Sequence, residues 1–358
     1  MNKQSRRSIK TAVNIFTFVA LAVLIYISRH AIADAFGNLG QLNSSALFLM
    51  IPLQAFGYYC IARLYKDFFK SRGEHLSLRK MYEVALELNF VNHVFPSGGV
   101  SGFSYLSLRL KKEGISTAQS TLAQIMRFAL TFVSFLILLV FGVFVLALRR
   151  HTSPLTILIS TSIVLMTVFG VLVGVYIISS ESRIKSFARW LPKALNAIIG
   201  VFRKNKADII NIARVESTME DLHRDYKALS RDWRQLKKPF IWALLLNITE
   251  VATIYSAYVA FGNFINPGGL ILAYAVANFA GLVAILPGGV GIYEGLMTAV
   301  MTATGVDKAL ALSATVVYRV ITMVIGLPIG YYFYHKNLNS TQQKSFEQTQ
   351  EEIIQDKQ

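Results

Sequence analysis

Between residues 118 and 148 the chain carries one charged side chain, Arg127, in a stretch otherwise built from apolar and small polar residues. That run exceeds the roughly 20 residues an α-helix needs to cross the hydrocarbon core of a bilayer. A bilayer core holds no water to satisfy a free backbone N–H or C=O, so such a run must be helical. Further runs at 11–28, 44–62, 154–178, 239–262 and 307–334 bring the expected number of full spans to six. The fold class expected is an all-α polytopic membrane protein. Composition agrees, with 54% hydrophobic and 16% charged residues, against about 25% charged in an ordinary soluble domain.

Charge placement orients the chain. Lys plus Arg exceed Asp plus Glu by 36 − 20 = 16, a surplus that fits nucleic acid or an anionic membrane surface. Its distribution selects the membrane. Lys3, Arg6, Arg7 and Lys10 precede the first run, and only Arg29 and Asp34 follow it closely. Six positives lie between Arg63 and Lys80, and fourteen, against seven acids, between 179 and 238. By the positive-inside bias both termini and these loops are cytoplasmic, and the host is the cell membrane. No nucleic-acid partner is expected. The first run is long, with no small-residue cleavage site after it, and is read as an anchor rather than a signal peptide. The single cysteine, Cys60, excludes a disulfide framework or a cysteine metal site.

Two apolar segments remain, each interrupted by proline and glycine. The first reads Pro96-Ser97-Gly98-Gly99, then Gly102, Gly114, Ala118 and Arg127; the second reads Pro287-Gly288-Gly289-Val290-Gly291, then Gly305, Ala309 and Arg319. Proline to the later glycine is 18 residues in both, and proline to arginine is 31 and 32. Four markers in register point to a duplication. The span count makes 81–115 a re-entrant hairpin from the cytoplasm and 270–305 one from outside, an inverted repeat of broken helices as transporters use. The simpler alternative is a pair of glycine packing kinks with no ligand. The resulting plan is a cytoplasmic N-terminus at 1–10, a first membrane half at 11–178 and a cytoplasmic segment at 179–238. A second membrane half follows at 239–335, then a disordered cytoplasmic tail at 336–358.

The stretch Leu286-Pro287-Gly288-Gly289-Val290-Gly291-Ile292-Tyr293-Glu294, with Gly305, Val306, Ala309 and Arg319 after it and Asn92 to Gly102 as its weaker partner, resembles the flippase-like membrane region of lysylphosphatidylglycerol synthases. The resemblance covers roughly 10–335. It implies movement of aminoacylated or otherwise modified lipids, or polyprenol-linked glycolipids, between leaflets. Two departures stand out. Phe103 occupies the place in the first repeat that Glu294 holds in the second, and only a polar tail follows where the bifunctional synthases carry a soluble transferase domain.

Ionisable residues at membrane depth are functional candidates. Here they are Glu83, Glu87, His93, Arg127, Glu250, Glu294 and Arg319. Arg127 and Arg319 lie near the midplane of oppositely directed spans, and a guanidinium fork suits a headgroup phosphate. The substrate-binding set expected is therefore Arg127, Arg319, Glu294, Glu87 and Glu250 with the break residues Pro96, Gly98, Gly99, Pro287, Gly288, Gly289 and Gly291. The competing reading pairs Arg319 with Glu294, or Arg127 with Glu87, for structure alone. His93 reads as a hydrogen-bonding residue rather than a metal ligand.

No phosphate-binding loop, paired metal-spaced histidines or G-x-S-x-G turn occurs. No catalytic residue, metal or cofactor is expected; membrane lipids with an anionic headgroup are the expected partners. A lipid transporter is the leading reading, and the alternative is the membrane subunit of a lipid-modifying or glycosyl-transfer enzyme with a soluble transferase partner. Trp190, Leu191, Ala194, Leu195, Ile198 and Phe202 mark an interfacial helix. The stripe Ile212, Val215, Met219, Leu222, Tyr226, Leu229, Trp233 and Leu236 is heptad-spaced. It either packs on its own protein or membrane surface, or joins two copies through 212–236.

Overall fold

The computed structural model describes residues 43–94, 100–147, 179–190, 233–283 and 291–355, with single positions at 169, 173, 176, 177 and 227. The expected span at 11–28, nearly all of 154–178, most of the loop helices, and the breaks that contain Pro96, Gly98, Gly99, Pro287, Gly288 and Gly289 lie outside the described residues.

Among the described residues the fold is carried by α1 (Ser44–Ser71), α2 (Leu78–Val94), α3 (Val100–Lys111), α4 (Thr117–Ala147), α5 (Lys237–Ala260), α6 (Pro267–Val283), α7 (Ile292–Ala303) and α8 (Lys308–Gln355). No strand occurs among the described residues. Ser44–Ser71, Thr117–Leu146, Arg234–Ala260 and Lys308–Asn337 are long and apolar enough to cross a membrane. Large apolar side chains such as Phe141 and Phe144 on α4 and Val324 on α8 are exposed, as helices bathed in lipid require. The protein is an all-α, multi-pass membrane protein.

Helices α1–α4 and α5–α8 repeat one another element by element. Helices α2 and α6 each have 17 residues, and α3 and α7 each have 12. The turns correspond too. Gly73 and Gly262, each two residues past the end of α1 or α5, have φ of 84° and 73°, and Gly114 and Gly305 before α4 and α8 have 81° and 94°. Only glycine enters that left-handed region without steric cost. The helix starts match in kind: Ser77 Oγ accepts from Lys80 N–H at 3.3 Å, and Asn266 Oδ1 from Gly268 N–H at 2.9 Å. Ser116 Oγ accepts from Gln119 N–H at 3.1 Å while Gln119 Oε1 accepts from Ser116 N–H, and Asp307 Oδ1 accepts from Leu310 N–H at 3.0 Å. These caps satisfy N–H groups that a helix leaves free at its first turn.

The halves interlock. Helix α1 runs antiparallel to its counterpart α5: Asn43 N–H donates to Ala260 C=O at 2.8 Å at one end, and Trp242 Nε1 donates to Asp67 Oδ2 at 2.9 Å near the other. The first helix of each broken pair then packs antiparallel on the last long helix of the opposite half. On α2 and α8, Phe90 lies 5.6 Å from Tyr331 and 5.3 Å from Tyr334. On α6 and α4, Tyr274 meets Phe135 at 5.5 Å.

Two differences from the sequence reading follow from packing and propensity. Helix α1 continues past the expected limit at 62 to Ser71, because Tyr65, Phe68 and Phe69 keep one face buried. Helix α8 continues through Gln355, into the segment expected to be a disordered tail, whose Gln, Glu and Lys residues are good helix formers.

Close approach of helix backbones depends on glycine. A Cβ at Gly330 would lie 2.6 Å from Leu86 O, and one at Gly268 would lie 2.2 Å from Gly142 O, whereas one at Gly295 would meet nothing within 4 Å. Gly330→Ala and Gly268→Ala should each lower the thermal midpoint of the purified protein, by the about 1–3 kcal/mol typical of overpacking. Gly295→Ala should leave it unchanged or raise it slightly.

Candidate functional site

Polar residues gather where the two halves meet. On the second-half side, α7 starts at Gly291, whose φ is 89°, and Gly291 N–H donates to Glu294 Oε2 at 2.6 Å. The other carboxylate oxygen, Glu294 Oε1, lies 3.1 Å from Arg319 Nη1 on α8. The Arg319 guanidinium also sits over the Tyr293 ring, 4.8 Å from its centroid. Glu294 therefore closes the helix start and neutralises Arg319 at once, the paired alternative in the sequence reading. His93 of α2 comes within the field of Arg319 and bonds the preceding turn of its own helix, Nδ1 to Asn89 O at 2.9 Å.

Arg127 on α4 is held differently. Its Nη1 donates to Tyr65 Oη at 3.4 Å, and its guanidinium lies 5.9 Å from the Tyr65 ring centroid and 5.5 Å from that of Phe128. Tyr65 in turn donates to Gln124. Phe103 stacks on Phe128 at 5.7 Å, so the residue that replaces an acid in the first repeat builds an aromatic wall beside Arg127. Among the described residues no carboxylate comes within ion-pair distance of Arg127. Next to this group Asn92 Oδ1 and Gln124 Nε2 are buried without a hydrogen-bond partner among the described residues, and both face Gly102, where a Cβ would lie 2.5 Å and 3.2 Å from them.

Glu250 on α5 joins the two sides. Tyr318 Oη donates to Glu250 Oε2 at 3.1 Å, and Tyr318 immediately precedes Arg319 on α8. Glu250 lies within electrostatic reach of Arg127, Tyr58, Tyr274 and Tyr293. The structure thus brings Arg127, Glu250, Glu294, Arg319 and Gly291 into one cluster.

Glu87 does not belong to it. The sequence alternative of an Arg127–Glu87 pair is not formed, because Glu87 is claimed by another arginine: Arg109 Nε donates to Glu87 Oε2 at 3.1 Å, Tyr105 Oη donates to the same oxygen at 2.8 Å, and Asn337 Nδ2 donates to Oε1. The group continues outward, with Arg109 Nη1 3.5 Å from Glu113 Oε1 and Lys80 Nζ 2.5 Å from Glu113 Oε2. Sequence reading missed Arg109, Tyr105, Asn337, Lys80 and Glu113 as a network. It also missed Tyr65, Gln124 and Tyr318, whose aromatic or amide character at membrane depth was the only signal. Glu83 pairs with Arg79 at 3.5 Å, near the surface. Among the described residues no group of three or more His, Cys, Asp or Glu is placed to hold a metal.

Repeated halves, paired short helices and a polar cluster where the halves meet define a repeat-built membrane protein with buried charge between its halves. The chain belongs to a family described as the lysylphosphatidylglycerol synthase TM region, whose model matches residues 9–330. It is 22% identical over 284 residues to a UPF0104 membrane protein of Pyrococcus horikoshii, covering 76% of this chain and 82% of that one. A UPF0104 membrane protein of Methanothermobacter thermautotrophicus is 22% identical over 248 residues, covering 68% of this chain and 71% of the relative.

Two outcomes test the charge assignments. Arg319→Met leaves Glu294 unpaired and should cost about 3–5 kcal/mol, with Arg319→Met/Glu294→Gln recovering most of it; thermal unfolding of the three proteins measures this. Glu113 lies in the turn after α3. Burial pushes its carboxyl upward, but the hydrogen bond and charge of Lys80 and the charge of Arg109 outweigh that and hold it below the usual carboxylate range. A group lowered on folding stabilises above its unfolded pKa and loses that contribution as pH falls through its folded value. Glu113→Gln should therefore lower the midpoint at neutral pH, with the difference from wild type shrinking as pH drops below about 4.

Proposed function

We propose that the protein moves a phosphate-bearing lipid between the leaflets of the cell membrane, its headgroup passing the cluster between the two halves while the acyl chains stay in the bilayer. The observation that carries this reading is Arg127. It is a guanidinium about a third of the way along a long apolar helix, walled by Tyr65 and Phe128, with no carboxylate partner among the described residues. A charge so placed is costly unless something of opposite sign visits it, and its planar fork matches phosphate oxygens. Arg319, already neutralised by Glu294, serves to fix the start of α7.

Helix lengths support re-entrant hairpins. At a rise of 1.5 Å per residue, 17 and 12 residues span roughly 26 and 18 Å, short of the about 30 Å core. In this reading the α2–α3 pair enters from the cytoplasm and α6–α7 from outside, and both termini are cytoplasmic.

The family description favours a second reading, in which the chain is the membrane part of a lipid-modifying system with catalysis on a soluble transferase. The test is proteoliposomes containing only this chain and a fluorescent phospholipid. Wild type should equilibrate the probe between leaflets; Arg127→Ala should slow this at least about tenfold while remaining folded, and Arg127→Lys should restore it in part because the fork is lost. An inert wild type that acquires lipid modification when a soluble transferase is added would replace the transporter reading with the second one.

A further inference from the structure

Among the described residues, the glutamates Glu87, Glu294 and Glu250 differ in what balances them. Glu87 has Arg109, Tyr105 and Asn337, and Glu294 has Arg319 and the Gly291 N–H. Glu250, midway along α5, has a single polar contact among the described residues, the Tyr318 hydroxyl at 3.1 Å. Besides Tyr318 of α8, the groups within electrostatic reach of it are Tyr58 of α1, Arg127 of α4, Tyr274 of α6 and Tyr293 of α7. Four of the five are phenols, which titrate far above neutral pH. The only charge among them is Arg127, and it stands beyond the 4.0 Å of an ion pair.

Helices α5 and α4 are joined one turn from both groups, where Asn247 Nδ2 donates to Thr131 O at 2.8 Å, so an ionised Glu250 offsets the charge of Arg127 across that gap while the site is empty. A phosphodiester on Arg127 would leave one uncompensated negative charge in an apolar interior, a costly state. One proton on Glu250 removes it: phosphate and Arg127 cancel, and the carboxylic acid is neutral. Tyr318 accommodates both forms, since a phenol hydroxyl donates to a carboxylate and accepts from a carboxylic acid.

We propose that Glu250 takes up a proton when a lipid phosphate occupies Arg127, so that lipid and proton cross together. The inference rests on the transporter reading for its consequence, but the coupling itself is a property of binding. Because linkage is reciprocal, lipid binding must tighten as protons become available.

The test uses the full-length protein in neutral detergent and fluorescent phosphatidylglycerol, whose phosphodiester stays ionised throughout, with binding measured from pH 5.5 to 8.5. Wild-type affinity should strengthen as pH falls, by up to about tenfold per pH unit for one linked proton. Glu250→Gln should bind with an affinity independent of pH. His93→Gln should keep the wild-type slope, because His93 faces Arg319 rather than Glu250. As a check that needs no variant, adding the lipid to wild type in weak buffer should raise the pH. A flat wild-type profile, no proton uptake, or a slope that survives in Glu250→Gln but vanishes in His93→Gln would each overturn the proposal. A chain that shows the slope but moves no lipid in proteoliposomes would overturn the transporter reading and leave the Glu250 site standing.

Discussion

A charge buried in an apolar helix must be balanced, and the arrangement of the described helices follows from how each one is. Arg319 on α8 is balanced by Glu294 on α7, which also accepts the first N–H of that helix. Glu87 on α2 is balanced by Arg109 on α3 and bonded by Asn337 on α8. Each contact joins helices that apolar packing alone would leave free to slide, since lipid tails compete on equal terms with leucine. Glycine lets those helices approach closely enough to bond, at Gly330 against Leu86 and Gly268 against Gly142.

The duplicated halves are not identical, and the difference falls at the polar cluster between them. Phe103 stands where the second half has Glu294. Its consequence is an arginine held by Tyr65 and stacked near Phe128 rather than paired with an acid. One half is thus locked by its own charge and the other keeps a charge in reserve. Glu250 on α5 lies within electrostatic reach of that reserve and is bonded to α8 through Tyr318. The polar centre consequently depends on both halves, and any movement of one against the other changes what Arg127 and Glu250 feel.

Much of the architecture was legible in the sequence because its signals are local. Apolar runs marked the spans, and the register of Gly114 with Gly305 and Arg127 with Arg319 marked the repeat; the positive φ at both glycines is the physical reason they recur. The pairing of Arg319 with Glu294 was open for the same reason, since both belong to one hairpin and the helix after it. The partners of Glu87 were not legible. Arg109 is 22 residues away and Asn337 is 250 away, and nothing in a run of apolar residues says which distant helix end will meet it. In the sequence Arg109 reads as a cytoplasmic charge, yet it is 6% exposed, its charge spent on Glu87 and Glu113. Tyr318 was likewise silent, because a tyrosine in an apolar helix carries no mark of the acid it will bond.

The central claim is that Arg127 is kept unpaired for a lipid phosphate. Native mass spectrometry of protein released gently from its membrane tests this most directly, since it weighs what remains bound. The account predicts a phosphate-bearing lipid retained by wild type and by Arg319→Met/Glu294→Gln, and lost from Arg127→Ala. Equal retention of the same lipid by Arg127→Ala and wild type would contradict it.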